Sequence, residues 1–334
     1  MSTTAGVFTE TALQSVRLMV DEAMLDVNLR KDYQPRMETI KGIMAQQTAR
    51  VTPLVDRSKD YTVEVEFDHA CDITAASNVA CEAGGVDLST NVKSYTLSKN
   101  YMAKFDIDTV TYRTNDFDVQ RQIAKGLLTA DVKLVEQINK SAIAALYAAR
   151  GVNSYNGGKG TVSGLDTNVI PAYWTAELIP YLEHVAVSNK FGQSVLINGA
   201  NLFEAFRTAQ YNAGNANGKG EANMFGSIEL FWDIPTMDTE SSAVVSYLVD
   251  RGAMFFASKA KYEDTMQSYT WGKTWTFDSQ FMPGLKYDVL MKEACSSDFN
   301  KMSFKVMAHY DVLAAPTGCT STDTGVLRFV NTAS

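Results

Sequence analysis

The stretch NDFDVQRQIAKGLLTADVKLVEQINKSAIAALYAAR, residues 115–150, decides the fold. It predicts one uninterrupted α-helix, because apolar side chains recur at helical spacing: Phe117, Ile123, Leu127, Leu134, Ile138, Ala142 and Leu146. Asn115 is a suitable N-cap, and Asp116 and Asp118 in the first turn complement the helix dipole. Arg150 followed by Gly151 is typical of a helix end. A helix of this length spans roughly 50 Å and is about three times as long as an average helix, so we expect it to serve as a strut.

A helical arm begins the chain. Residues 8–30 carry an apolar stripe at helical spacing, made of Leu13, Val16, Val20, Met24, Leu25 and Val27. Pro35 interrupts the pattern, and a second helical stretch covers residues 36–49. The arm has too little apolar surface for a core of its own, so it must pack on the rest of the chain or on a neighbour.

A long β excursion separates the arm from the long helix. Residues 61–68 alternate apolar with mainly acidic side chains, which indicates a half-exposed strand rather than a calcium site at Glu64, Glu66 and Asp68. A small, polar stretch follows, and strand character resumes from Ser94 to Thr111. Because an isolated hairpin is marginally stable in water, we expect the outer part, with its tip at residues 77–91, to lean on another subunit.

The second half of the chain predicts an α/β region followed by a β-rich region. Residues 151–168 are a Gly- and Asn-rich connector, and residues 212–223 are a loop of similar composition. Helices are predicted at 171–188 and 201–211, and strands at 193–197, 228–232, 244–249, 253–257, 269–281, 287–291, 304–312 and 327–330. The aromatic residues Trp271, Trp275 and Phe277 are predicted to pack on a sheet.

The composition indicates an acidic, folded protein. The 334 residues are 46% hydrophobic and 20% charged, as in ordinary globular domains. A net charge of −8 gives no sign of the basic face with which proteins bind phosphates. The first six residues lack the features of a secretory signal, and no apolar run reaches the roughly 20 residues that span a bilayer. We therefore expect synthesis in the cytoplasm and no membrane contact.

Patterns typical of enzymes and metal sites are incomplete. The segments Gly214–Gly220 and Gly157–Thr161 both fall short of the spacing of a phosphate-binding loop. His309 and Asp311 share one face of a single strand, and no serine in a strained turn accompanies them. His69, Cys71 and Cys81 lack a fourth zinc ligand, and the redox state of the four cysteines, Cys71, Cys81, Cys295 and Cys319, stays open. We predict no catalytic residue, no metal ligand and no cofactor.

The order of these parts resembles the Hong Kong 97-type major capsid protein of tailed double-stranded DNA phages. Residues 115–150 look like its spine helix, and Asp60 to Arg113 look like its extended E-loop. Val195–Asn198 and the helix after it are similar to the opening of the axial domain, whose central strands resemble residues 228–235 and 247–250. Phe304 to Pro316 looks like the return to the peripheral domain.

The resemblance implies an α+β fold with five segments. These are an N-terminal arm at 1–55, an E-loop at 56–114, a peripheral domain with the spine helix at 115–170, an axial domain at 171–265, and return strands of the peripheral domain at 266–334. An arm that starts almost at Met1 implies a separate scaffolding protein or none.

The function implied is that of a structural, non-enzymatic protein of the virion, made in the host bacterial cytoplasm. Subunits would assemble into pentamers and hexamers of an icosahedral head. The implied partners are other copies of the chain, a scaffolding protein, the portal, head-decoration or connector proteins, and nonspecifically contacted double-stranded DNA. An encapsulin-type compartment shell has the same fold and is an alternative, and a soluble hydrolase is another.

Overall fold

The computed structural model describes residues 8–26, 33–47, 50–53, 61–67, 91–108, 116–175, 177–198, 202, 224–225, 228–233, 245–295, 300–315 and 324–331. Its α-helices within these ranges are α1 Glu10–Leu25, α2 Glu38–Ala45, α3 Asp116–Ala149 and α4 Leu178–Ser188, and a short 3₁₀ helix covers Pro171–Tyr173. None of these described helices combines the length and apolar character needed to cross a membrane.

The described strands form three sheets. The first half of the chain contributes β1 Arg50–Pro53, β2 Thr62–Phe67, β3 Asn91–Thr96, β4 Lys99–Asp108, β5 Gly160–Ser163 and β6 Asp166–Val169. The second half contributes β7 Ser194–Asn198, β8 Met224–Phe225, β9 Ile228–Trp232, β10 Val245–Asp250, β11 Met254–Ser258, β12 Gln267–Tyr269, β13 Gly272–Asp278, β14 Lys286–Cys295, β15 Asn300–Ala314 and β16 Val326–Asn331.

The pairing brings distant parts of the chain together. A three-stranded antiparallel sheet has the order β1-β2-β3, and a seven-stranded mixed sheet has the order β5-β6-β16-β10-β7-β9-β8. The six-stranded antiparallel sheet has the order β11-β15-β14-β13-β12, with β4 paired to β15 along ten residues. The second strand region predicted for the β excursion is therefore divided, since β3 pairs with β2 and β4 joins the six-stranded sheet.

Helix α3 confirms the predicted strut almost to the residue. Its apolar stripe is buried, with exposed fractions of 4% or less at Ile123, Leu127, Leu134, Ile138, Ala142, Ile143 and Leu146. The helix packs against α1, α2, β4 and β15. The predicted N-cap, Asn115, lies outside the described residues.

The predicted glycine cap at the end of α3 is wrong. Gly151 does not adopt the left-handed conformation, and its N–H donates to the carbonyl of Val326 in β16 at 2.8 Å. Arg150 instead donates to the carbonyl of Tyr147 at 2.6 Å and pairs with Asp166 at 3.3 Å. The hydrogen-bond acceptor for the Gly151 N–H is therefore a carbonyl of β16 and not one of the last turn of α3, as a glycine cap would require.

The N-terminal arm packs on its own chain. Leu13, Val16 and Val20 of α1 are fully buried in the same core as the stripe of α3, and Ile40 and Ile43 of α2 join them. The predicted stripe is wrong at its end, because the side chain of Leu25 is 83% exposed. Val27 lies outside the described residues.

The seven-stranded sheet separates two cores. Val245, Tyr247 and Val249 of β10 face the core around α3, while Leu248 and Phe329 face a second core with α4. This alternation is the period-2 pattern of a strand buried on both faces. The sheet contains β6, β10 and β16, which belong to three of the five predicted segments, so the segment boundaries stay a prediction.

The expected connector at residues 151–168 is partly wrong, because it contains β5 and the start of β6. Strand β6 runs parallel to β16, which lies about 160 residues later, and Thr167 and Val169 are buried by that pairing. The local sequence here is rich in Gly, Asn and Ser and has no run of alternating apolar residues. Strand formation is decided by the distant partner.

The burial of α3 yields a stability prediction. Leu134→Asp places an unpaired charge in the core, where Leu134 is 3% exposed, and should lower the free energy of unfolding by about 3 kcal/mol or more. Lys140→Asp introduces the same residue on the exposed face of the same helix and should cost about 1 kcal/mol or less. Urea unfolding of both variants measures these changes and tests which face of α3 is buried. Equal losses of unfolding free energy in the two variants would contradict the assignment.

Candidate functional site

The base of the β excursion is built by β2 and β3. Val63 and Val65 of β2 are fully buried in a small core with Phe255 and Ala257 of β11, while Glu64 on the opposite face is half-buried. The predicted two-residue alternation is therefore confirmed. Residues 68–90, which include Asp68 and nearly all of the predicted tip, lie outside the described residues.

His309 of β15 holds the start of β2. The rings of Tyr61 and His309 stack with centroids 3.6 Å apart, and the Tyr61 hydroxyl lies 2.7 Å from Nε2 of His309. The ammonium of Lys261 lies 3.7 Å from the centroid of the Tyr61 ring, a cation–π contact. Tyr61 is thus held on the body of the protein by aromatic and electrostatic contacts.

Asp311 holds the junction between β3 and β4. Its Oδ2 atom accepts hydrogen bonds from the backbone N–H of Ser98 at 3.1 Å and from the Ser98 hydroxyl at 2.7 Å. The N–H of Leu97 donates to the carbonyl of Tyr61 at 2.7 Å and joins the two strands. His309 and Asp311 share one face of a strand, as predicted, and there they anchor the base of the β excursion.

A buried carboxylate lies beside His309. Asp288 of β14 accepts hydrogen bonds from the N–H groups of Lys261 and Tyr262 at 2.9 and 2.8 Å, and its Oδ2 is 3.9 Å from Nε2 of His309. Burial raises the pKa of Asp288 to about 6. Burial, together with the positive charges of Lys261 and Lys305, lowers the pKa of His309 to about 4. At neutral pH, His309 is therefore uncharged and the two groups do not form an ion pair.

Two further buried carboxylates tie α3 to its surroundings. Asp233, after β9, accepts from the Thr39 hydroxyl at 2.5 Å and from the Asn139 amide at 2.6 Å, so it joins α2 to α3. Asp131 accepts from the Tyr287 hydroxyl at 2.6 Å and from the N–H of Gln280 at 2.7 Å. Burial raises the pKa of Asp131, and these hydrogen bonds oppose the shift.

Sequence reasoning missed these carboxylate networks. Asp131 and Asn139 are both fully buried, and each stands among the apolar residues of α3. A polar side chain on the apolar stripe of a long helix was the available signal, because buried polar groups require hydrogen-bond partners. The distant partners could not be identified from spacing.

The aromatic residues predicted to pack on a sheet, Trp271, Trp275 and Phe277, divide into two groups. Trp275 and Phe277 are 0% and 3% exposed, which confirms their predicted sheet packing. The prediction is wrong for Trp271, which is 48% exposed and stacks on the equally exposed Tyr269 with centroids 4.9 Å apart. Tyr269 ends β12, and Trp271 lies in the turn between β12 and β13.

The remaining candidate sites show no catalytic or metal-binding arrangement within the described residues. Residues 157–161 form the bridge and first residues of β5, and they do not precede a helix as a phosphate-binding loop does. No group of three His, Cys, Asp or Glu that could hold a metal ion occurs in the described part of the chain. Cys295 ends β14. The other candidates, His69, Cys71, Cys81, Cys319 and residues 214–220, lie outside the described residues.

The neighbouring Asp288 and His309 yield a pH prediction. Between about pH 4 and 6 the folded chain keeps a proton on Asp288 that the unfolded chain, at its usual pKa of 3.8, has lost. In the same window the unfolded chain keeps a proton on His309, usual pKa 6.5, that the folded chain has lost. The two effects on stability have opposite signs and nearly cancel in the native protein.

Removing either side chain should therefore reveal the pH dependence of stability that is due to the other. In Asp288→Asn, only the lowered pKa of His309 remains, so the free energy of unfolding should rise with pH from about 4 to 6.5, relative to the native protein. In His309→Gln, only the raised pKa of Asp288 remains, and stability should fall as pH rises from about 4 to 6. Urea unfolding at half-unit pH steps measures both slopes, and parallel curves for the two variants would refute this pairing.

Comparison with known proteins identifies the fold. No protein-family model and no curated protein matches the chain. A chain of the cyanophage Pam1 capsid is similar to it with a TM-score of 0.51 and 13% identity, over 89% of this chain and 92% of that chain. A chain of the cyanophage P-SCSP1u capsid has a TM-score of 0.48 and 9% identity, over 87% and 89% of the two chains. A chain of the satellite phage P4 procapsid has a TM-score of 0.40 and 10% identity, over 99% and 92%.

The likeness to the Pam1 chain extends over nearly the full length of both chains, so it concerns the whole fold and not one shared motif. It agrees with the observed mixture of one long helix and three sheets. The α+β fold, predicted from the order of the elements, is thereby confirmed, and it is similar to the fold of a chain in the Pam1 capsid.

Proposed function

We propose that this protein is the structural subunit of an icosahedral phage head. Copies of the chain would assemble into pentamers and hexamers that enclose double-stranded DNA, and the subunit would have no enzymatic role. The observation that carries this proposal is the fold shared with a Pam1 capsid chain over 89% of the sequence. The encapsulin and hydrolase alternatives have no observation in their favour among the described residues.

The surface of the subunit supports assembly. Large apolar side chains are exposed at separate places: Leu18 and Leu25 on α1, Val92 on β3, Met102 on β4, and Tyr269 with Trp271 at the β12–β13 turn. Their exposed fractions run from 47% to 83%. Contacts between subunits would bury such residues, and aromatic and Met side chains are enriched at protein interfaces.

The proposed partners and location follow the same assignment. Besides other copies of the chain, they are a scaffolding protein, the portal and head-decoration or connector proteins. The location is the virion, after synthesis in the host bacterial cytoplasm. The predicted segments, 1–55, 56–114, 115–170, 171–265 and 266–334, would be the arm, E-loop, peripheral domain, axial domain and return strands.

Assembly is the direct test of the proposed function. The full chain, expressed alone and together with head proteins encoded beside it, should form closed particles or discrete capsomers. Light scattering measures the size of the species, and negative-stain microscopy shows their shape. A monodisperse monomer under every assembly condition would overturn the proposal.

The β excursion offers a sharper prediction. Residues 77–90 are mostly small and polar, with Val79, Val86 and Leu88 as the only large apolar residues, so they can add little to a subunit core. Replacing them by a short Gly/Ser turn, with Asn91 kept in β3, should leave the melting temperature nearly unchanged and abolish or weaken shell formation.

A control of equal length distinguishes the effect of the length of this segment from the effect of its side chains. Replacing residues 77–90 by fourteen Gly and Ser residues keeps the length of the segment and removes its side chains. If side chains make the contacts, this variant should assemble as poorly as the shortened one. Normal particles from the shortened chain would remove the assigned assembly role of this segment.

A further inference from the structure

The outward face of α3 carries a basic stripe. Arg121, Lys125, Lys133 and Lys140 are all exposed, and their spacing places them on one side of the helix. From the first to the last they extend about 29 Å along the axis. We refer to these four residues as the α3 stripe. A net charge of −8 gave no indication of it, because net charge does not show how charges are distributed.

Little negative charge offsets the α3 stripe. Among the described side chains, Glu136 is the one carboxylate on this face, and it pairs with Lys133 at 3.4 Å. Asp131, the other acidic residue in this part of α3, is fully buried on the opposite face. Within the described residues, Arg121, Lys125 and Lys140 have no ion-pair partner.

The chemistry of the α3 stripe fits a polyanion better than a protein surface. Between residues 121 and 140 the only other exposed side chain is that of Thr129, so no large apolar group is available for an interface core. Lysine is depleted in such cores, which are rich in aromatic and Met residues. Apart from Tyr147, which lies beyond the end of the stripe, the large apolar residues exposed in the described part of the chain lie on other elements or in loops.

The α3 stripe also fits a double-stranded polymer better than a single strand. Proteins that bind single-stranded nucleic acid stack aromatic side chains on the bases. The nearest exposed aromatic residue on α3 is Tyr147, beyond the end of the stripe, and the Arg150 guanidinium covers its ring at 3.7 Å. A row of cations without such a platform suits a duplex, whose phosphates are exposed and whose bases are stacked inside.

We infer that the α3 stripe contacts the phosphate backbone of double-stranded DNA. This inference rests on the proposed function, and it places the outward face of α3 toward the interior of the shell. The four cations would displace condensed counterions from phosphates, without reading base sequence. A competing occupant is a second copy of the chain, through the exposed acidic residues Asp21 and Glu22 of α1 and Asp26 directly after it.

The test compares two variants that lose equal charge. The stripe variant carries Arg121→Gln, Lys125→Gln, Lys133→Gln and Lys140→Gln, which keep helix propensity nearly constant. The control variant carries Lys99→Gln, Lys104→Gln, Lys292→Gln and Lys301→Gln, four exposed positions on β4, β14 and β15. Melting temperatures of both variants establish that they are folded.

Binding of a fluorescent 30-base-pair duplex to the unassembled full chain is measured from 50 to 200 mM salt. The native chain should bind with an affinity that falls steeply with salt. The stripe variant should bind at least tenfold more weakly at 50 mM, with a slope of log K against log salt that is shallower by about 3 to 4 units. The control variant should keep the native slope within about one unit.

Each other outcome overturns the inference. Absence of DNA binding by the native chain, or equal losses in both variants, would show that no DNA contact is specific to the α3 stripe. Unchanged DNA binding by the stripe variant together with lost assembly would show that the stripe binds a second copy. Particle formation by the native chain is scored separately. If the native chain forms shells but the stripe variant keeps the native salt slope of DNA binding, this inference alone is refuted. If the native chain binds DNA through the stripe but forms no shell, the proposed function alone is refuted.

Discussion

The burial of one face of α3 is the constraint on which the rest of the structure depends. Helices α1 and α2 and strands β4 and β15 all pack on that face. Burying Ile123, Leu127, Leu134, Ile138 and Leu146 contributes on the order of 10 kcal/mol before entropy is counted. Gly126 permits the close approach of β4 to α3, since a Cβ atom there would lie 2.4 Å from the ring of Phe105, which stacks on Phe304 with centroids 4.8 Å apart.

Buried carboxylates turn this apolar contact into one defined arrangement. Hydrophobic burial is not directional, whereas Asp233 and Asp131 accept hydrogen bonds only when α2, α3 and the loop before β14 stand at particular positions. Their partners would be left unsatisfied in a shifted packing, at a cost of about 1–3 kcal/mol each. The same principle applies to Asp311 and Ser98, which hold the β excursion to the six-stranded sheet.

The distribution of surface chemistry gives the protein different faces. Exposed apolar residues on α1, β3, β4 and the β12–β13 turn suit contacts with other proteins, while the outward side of α3 between residues 121 and 140 is basic and lacks large exposed apolar residues. An acidic protein can thus be soluble as a free chain and still present one face to a polyanion. The proposed shell subunit would need this separation, because it would meet its neighbours and its contents at different surfaces.

The sequence by itself determined α3, the alternation of β2, most strands of the second half and, from their order, the fold. These features follow from local periodicity, which burial of one face imposes on a helix or strand. Only the tertiary structure decided that β5 and β6 are strands, that β16 lies beside β10, and which groups meet Asp131, Asp233 and His309. Their partners lie roughly 90 to 250 residues away along the chain, and no local pattern specifies which distant residue will be adjacent.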